Sequence, residues 1–189
     1  MSRPKNKNPS QRGDAFKDEF HRQLGRLVHA HARFDFNVGL QLNWLGQYYK
    51  VEVSDLLDPR KAQLGLRLKK LRGLVLDVFE PAGETAIADF KAWFKLADES
   101  RAIRNDYVHG RWGVPGNYSY KNGDRLIDAD PLLTFVPLHW KMEPELADDS
   151  ISMTLEEFSL QIDAVERLFG DYFQLTEQYL TFAKPSHLG

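Results

Sequence analysis

Arg104 and His109 are the residues of this 189-residue chain whose types and spacing point most directly to chemistry. They lie in the stretch Ile103-Arg104-Asn105-Asp106-Tyr107-Val108-His109-Gly110-Arg111-Trp112. Arg is a permanent cation whose planar fork matches a phosphate. His is the side chain whose ordinary pKa lies close enough to neutrality to trade protons. A cation for the phosphate beside an acid/base for its leaving oxygen is the minimum equipment for cutting RNA. Asn105 follows the Arg directly and can orient either partner. Arg101 and Arg111 flank the pair as candidate phosphate ligands, and Tyr107 and Trp112 add aromatic surface, with Tyr118 and Tyr120 further along as stacking candidates. The plainer alternative pairs Arg104 with Asp106, Asp98 or Glu99 and leaves His109 as a C-terminal helix cap favoured by the dipole.

A long helix must carry this segment. Apolar residues at 87, 90, 94, 96/97 and 103 predict one over 84–109, opened after Pro81-Ala82-Gly83 and closed by Gly110 as C-cap. Before it, apolar positions from Phe16 to Leu45 predict a first helix from an Asp14 N-cap to about Tyr49. A connector over 51–58 ends at Pro59, and a second helix is expected over 60–79. That second helix carries Arg60, Lys61, Arg67, Lys69, Lys70 and Arg72 on its outer face, a candidate track for a phosphate backbone.

From 112 to 152 glycines and prolines punctuate short alternating runs (117–121, 132–136, 138–142). They predict a small antiparallel β insert with a turn at Lys121-Asn122-Gly123-Asp124. Thr154 and Glu157 then form a capping-box pattern opening a last helix to about Phe182. The expected fold is mainly α: a four-to-five-helix up-and-down bundle over 14–189 as a single domain, with the β insert between its last two long helices. Residues 1–13 read as a flexible basic tail.

Composition narrows the function classes. Hydrophobic content is 42% and cysteine is absent, so the chain is globular and holds neither disulfides nor thiolate metal sites. The N-terminus lacks the apolar core of a signal peptide, and no apolar run approaches a membrane span, so a cytoplasmic protein without membrane contact is expected. Residues 1–79 hold 15 Lys/Arg against 8 Asp/Glu, and residues 80–189 hold 10 against 19. The basic half suits a phosphate backbone, and the acidic half suits a basic partner or a second copy. His21, His29 and His31 with Asp35 do not make a metal site: 29 and 31 point to opposite sides of a helix, unlike the four-residue spacing that metal helices use. No cofactor motif is present.

The segment Arg104-Asn105-Asp106-Tyr107-Val108-His109 resembles the defining motif of the HEPN superfamily, an Arg, a polar residue, and a His after four to six intervening positions. The resemblance implies a helical bundle with the motif near the end of its penultimate long helix. It also implies a homodimer in which two motifs face each other across the axis and cleave RNA without metal. His109 would then assist proton transfer as the ribose 2′-hydroxyl attacks the phosphate, Arg104 would stabilise the developing charge, and Asn105 would orient them. A toxin or defence nuclease with a cognate antitoxin is the implied setting, and a non-catalytic module of the same fold, binding nucleotide, RNA or protein, is the alternative. A modified Tyr found two residues after the His in some family toxins is absent, since Arg111 stands there. Helix geometry adds an independent constraint: residues five apart lie about 140° apart around the axis. Unless the helix frays at its end, a catalytic pair must be assembled from two copies.

Overall fold

The computed structural model describes residues 9–58, 60–113, 119–122, 125–128, 132–136 and 151–185. It is mainly helical with a small antiparallel β insert, as the periodicity predicts. The helices are α1 (Pro9–Tyr49), α2 (Ser54–Leu57), α3 (Leu64–Val78), α4 (Glu84–His109) and α5 (Leu155–Tyr179). None of them is long and apolar enough to cross a membrane.

Two boundaries differ from expectation. α1 starts at Pro9 rather than Asp14, with Pro at a first-turn position where its missing N–H costs nothing. Of the expected basic tail, residues 1–8 lie outside the described residues. α3 starts at Leu64 rather than Arg60, because Asp58 precedes a proline and is extended (φ −74°, ψ 114°). The Asp58 carboxylate accepts from the Arg60 N–H (2.8 Å), and its carbonyl accepts from Lys61 and Ala62. That turn keeps Arg60 and Lys61 off the helix.

The insert comprises β1 (Arg111–Gly113), β2 (Ser119–Asn122), β3 (Arg125–Asp128), β4 (Leu133–Val136) and β5 (Ile151–Met153). β1, β4 and β5 form an antiparallel sheet in the order β1-β4-β5, with Trp112 opposite Phe135 and Phe135 opposite Ile151. β2 and β3 pair separately, Asn122 opposite Arg125, which spaces them for a two-residue connection at the predicted turn. Gly123, Asp124, Tyr118 and the predicted run 138–142 lie outside the described residues. α5 opens on the capping box: the Glu157 N–H donates to Thr154 Oγ1 (3.0 Å) and the Thr154 N–H donates to Glu157 Oε2 (2.7 Å).

The chain divides into two compact units, residues 1–27 with 105–162 and residues 28–104 with 163–189. The second unit is a helical core in which Phe34, Val38, Leu42, Leu68, Leu71, Val75, Phe90, Phe94 and Tyr172 are fully enclosed. α4 runs against each of its neighbours here. Phe34 of α1 meets Trp93, Gly65 of α3 lies beside Arg101 while Phe79 meets Phe90, and Trp93 donates to the Leu168 carbonyl of α5 (2.7 Å) as Phe90 meets Tyr179.

α1 and α3 therefore run the same way, and a reversal at the end of α1 explains it. The Val51 N–H donates to the Gly46 carbonyl (2.9 Å) and Lys50 takes φ 53°, a Schellman ending. The returning chain lays Val53 over Gly46, where a Cβ would come within 2.6 Å of Val53 Cγ2. α2 then carries the chain back so that Arg67, early in α3, binds Asp35 in the middle of α1 (2.6 Å).

The first unit is organised around rings. Phe20, Tyr107, Trp112, Phe135 and Phe158 pack with centroids 4.9–6.0 Å apart, Trp112 touching all four others. Leu133, Met153 and Ile162 are also buried in this unit.

Candidate functional site

α4 stays α-helical through His109, and the Gly110 N–H still donates to the Asp106 carbonyl (2.7 Å). Its end was expected to be a left-handed glycine cap, but Gly83 is the glycine that takes a positive φ among the described residues. Gly110 is required for space. A Cβ there would lie 2.1 Å from Phe135 Cε2 and 2.8 Å from the Asp106 carbonyl. Gly110→Ala is expected to cost about 1–3 kcal/mol through overpacking, read as a lower Tm, with Phe135→Leu restoring part of the loss. Asn, which a left-handed cap accepts, is expected to be at least as costly as Ala. An Asn variant as stable as wild type sinks this account.

In the first unit His109 is exposed at the helix end, and among the described residues nothing hydrogen-bonds its ring. Arg111 is exposed on β1 opposite Val136. Tyr107 and Trp112, expected at the substrate, both pack within the unit. Tyr107 is buried, its hydroxyl donating to Gln161 Oε1 (2.6 Å), and burial pushes its phenol pKa up. Trp112 Nε1 donates to the Tyr107 carbonyl (3.0 Å) with its ring in the aromatic cluster. The strand after α4 thus folds its tryptophan back onto the helix end.

In the second unit Arg104 is half-buried and close enough to His31 of α1 for its charge to act on that ring. His31 is only 5% exposed, and among the described residues neither ring nitrogen has a hydrogen-bond partner. Desolvation, with the Arg104 guanidinium adding to it, pulls its pKa from 6.5 down to about 4, so the ring is neutral at pH 7. Ser100, one turn before Arg104 on the same face of α4, also buries a hydroxyl with no partner among the described residues. Asn105, the first residue of the other unit on α4, is half-buried.

Arg101 lies 3.9 Å from Asp98 and packs on Gly65, while Arg72 holds the same Asp98 more tightly. Half of the predicted basic track is engaged in this way. Arg67 is buried on Asp35 and the Leu56 carbonyl, Arg72 is on Asp98, and Lys61 is on Asp55, leaving Arg60 and Lys69 exposed and Lys70 half-buried.

No protein-family model, curated protein or solved structure matches this chain. Its chemistry must be read from its own residues. Among the described residues no three His, Asp or Glu side chains converge as metal ligands would. With α4 unfrayed, the five-residue spacing holds Arg104 and His109 of one copy about 140° apart.

His31 is the residue that sequence reasoning undervalued, having weighed it only as a metal ligand. The signal was available: it sits on the buried stripe 27, 31, 34, 38, a position that asks how a titratable ring is accommodated inside.

Proposed function

We propose that this chain is a HEPN-like, metal-independent endoribonuclease of toxin or defence type, acting in the cytoplasm as a homodimer whose cleft is built from two copies of α4. His109 removes the proton from a ribose 2′-hydroxyl as that oxygen attacks the adjacent phosphorus. The P–O5′ bond breaks, and the proton is returned to the leaving 5′-oxygen, giving a 2′,3′-cyclic phosphate and a 5′-hydroxyl. Arg104 of the other copy neutralises charge on the phosphate in flight. Asn105 orients the pair, and Arg101 and Arg111 draw in flanking phosphates. A cognate antitoxin is the expected regulator.

The observation that carries this reading is the exposed His109 ring at the end of α4, without a hydrogen-bond partner among the described residues, in a motif that resembles the HEPN signature. The half-burial of Arg104 beside His31 favours a second reading, a non-catalytic HEPN-like module that binds RNA, nucleotide or a protein. Cleavage of a mixed single-stranded RNA in EDTA separates them. Wild type is expected to cut, to leave 2′-deoxy linkages intact, and to lose activity in both Arg104→Ala and His109→Ala while they stay folded. Cutting that survives both substitutions, or a wild type that binds RNA and never cuts it, moves the assignment to the binding module.

A further inference from the structure

The outer face of α1 carries a feature that cleavage does not use. From Phe36 to Tyr49 the helix has fourteen consecutive residues without Asp, Glu, Lys, Arg or His. Three large side chains on this stretch, one turn apart, stand in solvent: Phe36 is 66% exposed, Leu40 48% and Trp44 48%. Trp44 is held by stacking on Tyr48 (5.5 Å, 16°), so the strip has a set shape. Beside Phe36 lies a hollow of about 450 Å³, lined in part by Ala32, Gly39 and Leu57 and edged by the Asp35–Arg67 ion pair.

The chemistry of the strip selects its occupant. Surface helices carry interspersed charges, whereas the centres of protein interfaces lose them and gain aromatics. An uncharged strip gives an acidic or a basic partner nothing to hold, yet it lets two identical copies meet without like-charge repulsion. The Asp35–Arg67 pair at its edge is neutral in sum. A two-fold contact also requires one patch to bear both the projection and the recess that receives it. Phe36 and the adjoining hollow supply both, and Gly39 has open space where a Cβ would stand, which lets a second helix approach.

We propose that the Phe36–Leu40–Trp44 strip is the surface on which a second copy of this chain docks, the two α1 helices crossing near Gly39 with Phe36 of each entering the hollow of the other. This supplies a surface for the second copy that the cleavage site needs, and it rests on the nuclease reading only for its use. Oligomeric state and RNA cleavage are accordingly measured separately.

Sedimentation equilibrium of the full chain at micromolar concentration is expected to show a dimer. Phe36→Asp is expected to weaken it on the order of 100-fold, as loss of a central aromatic anchor does, with an unchanged circular dichroism spectrum. Leu96→Asp, at an exposed leucine on α4, leaves it intact. A monomeric wild type, or a dimer equally tight in Phe36→Asp, overturns the proposal. Should Phe36→Asp misfold, Leu40→Cys decides. The chain has no cysteine of its own, so copper–phenanthroline oxidation joins copies only where two introduced thiols approach within disulfide reach. Faster linking of Leu40→Cys than of Leu96→Cys supports the docking, and equal rates overturn it.

Discussion

Mixing Arg104→Ala subunits with His109→Ala subunits is expected to restore RNA cleavage that neither variant shows alone. Loss of a general acid/base slows such reactions by about 10²–10⁴-fold. Loss of a group that stabilises the transition-state charge slows them by about 10²–10³-fold. Each homodimer is then effectively silent. α4 is helical through His109, so the two side chains of one copy diverge by about 140°, and in the proposed dimer a working pair takes Arg104 from one copy and His109 from the other. In a mixed dimer one such pair is doubly damaged and the other is whole. Random reassortment makes half the dimers mixed, so recovery reaches up to about a quarter of wild type. Mixtures that exchange subunits and stay silent would falsify the two-copy site, because a site formed within one copy gains nothing from mixing.

The parts legible in the sequence are those decided locally. Pro81-Ala82-Gly83 opens α4 and the Thr154/Glu157 box opens α5, each within a few residues of its own cause. What escaped depends on residues far along the chain. Arg67 reads as part of a solvated basic face until Asp35, 32 positions earlier, claims it. Gly110 reads as a cap until Phe135 is found against its Cα. Tyr107 attracts notice inside the motif, yet it continues the inward face of Trp93 and Ser100 at seven-residue steps, and that periodicity was readable. The direction of α3 was not, since it follows from the Schellman turn at Lys50 and the return through α2. The motif was visible because it is contiguous, and the neighbours of Arg104 were hidden because they come from α1.

Acidification from pH 6.5 toward 4 is expected to remove on the order of 3 kcal/mol of folding stability through His31, at 1.36 kcal/mol per pKa unit. The unfolded chain binds a proton on this ring near pH 6.5, whereas the folded chain resists until about 4, because burial and then the Arg104 cation oppose the charge. Between those values the unfolded state holds more protons, so stability rises with pH across the window, is complete above it, and is lost as pH falls. Urea unfolding at several pH values measures the slope. His31→Leu is expected to flatten this contribution. At pH 7 it is expected to be neutral or stabilising, since an apolar side chain of similar size removes two buried nitrogens that lack partners. A slope that persists undiminished in His31→Leu would mean that water reaches this ring in solution, and the reading of Arg104 as lying against a dry, neutral imidazole would go with it. If the slope does vanish, the neutral ring has a consequence for the proposed site. It lets a permanent cation sit half-buried on α4 without repulsion from that ring.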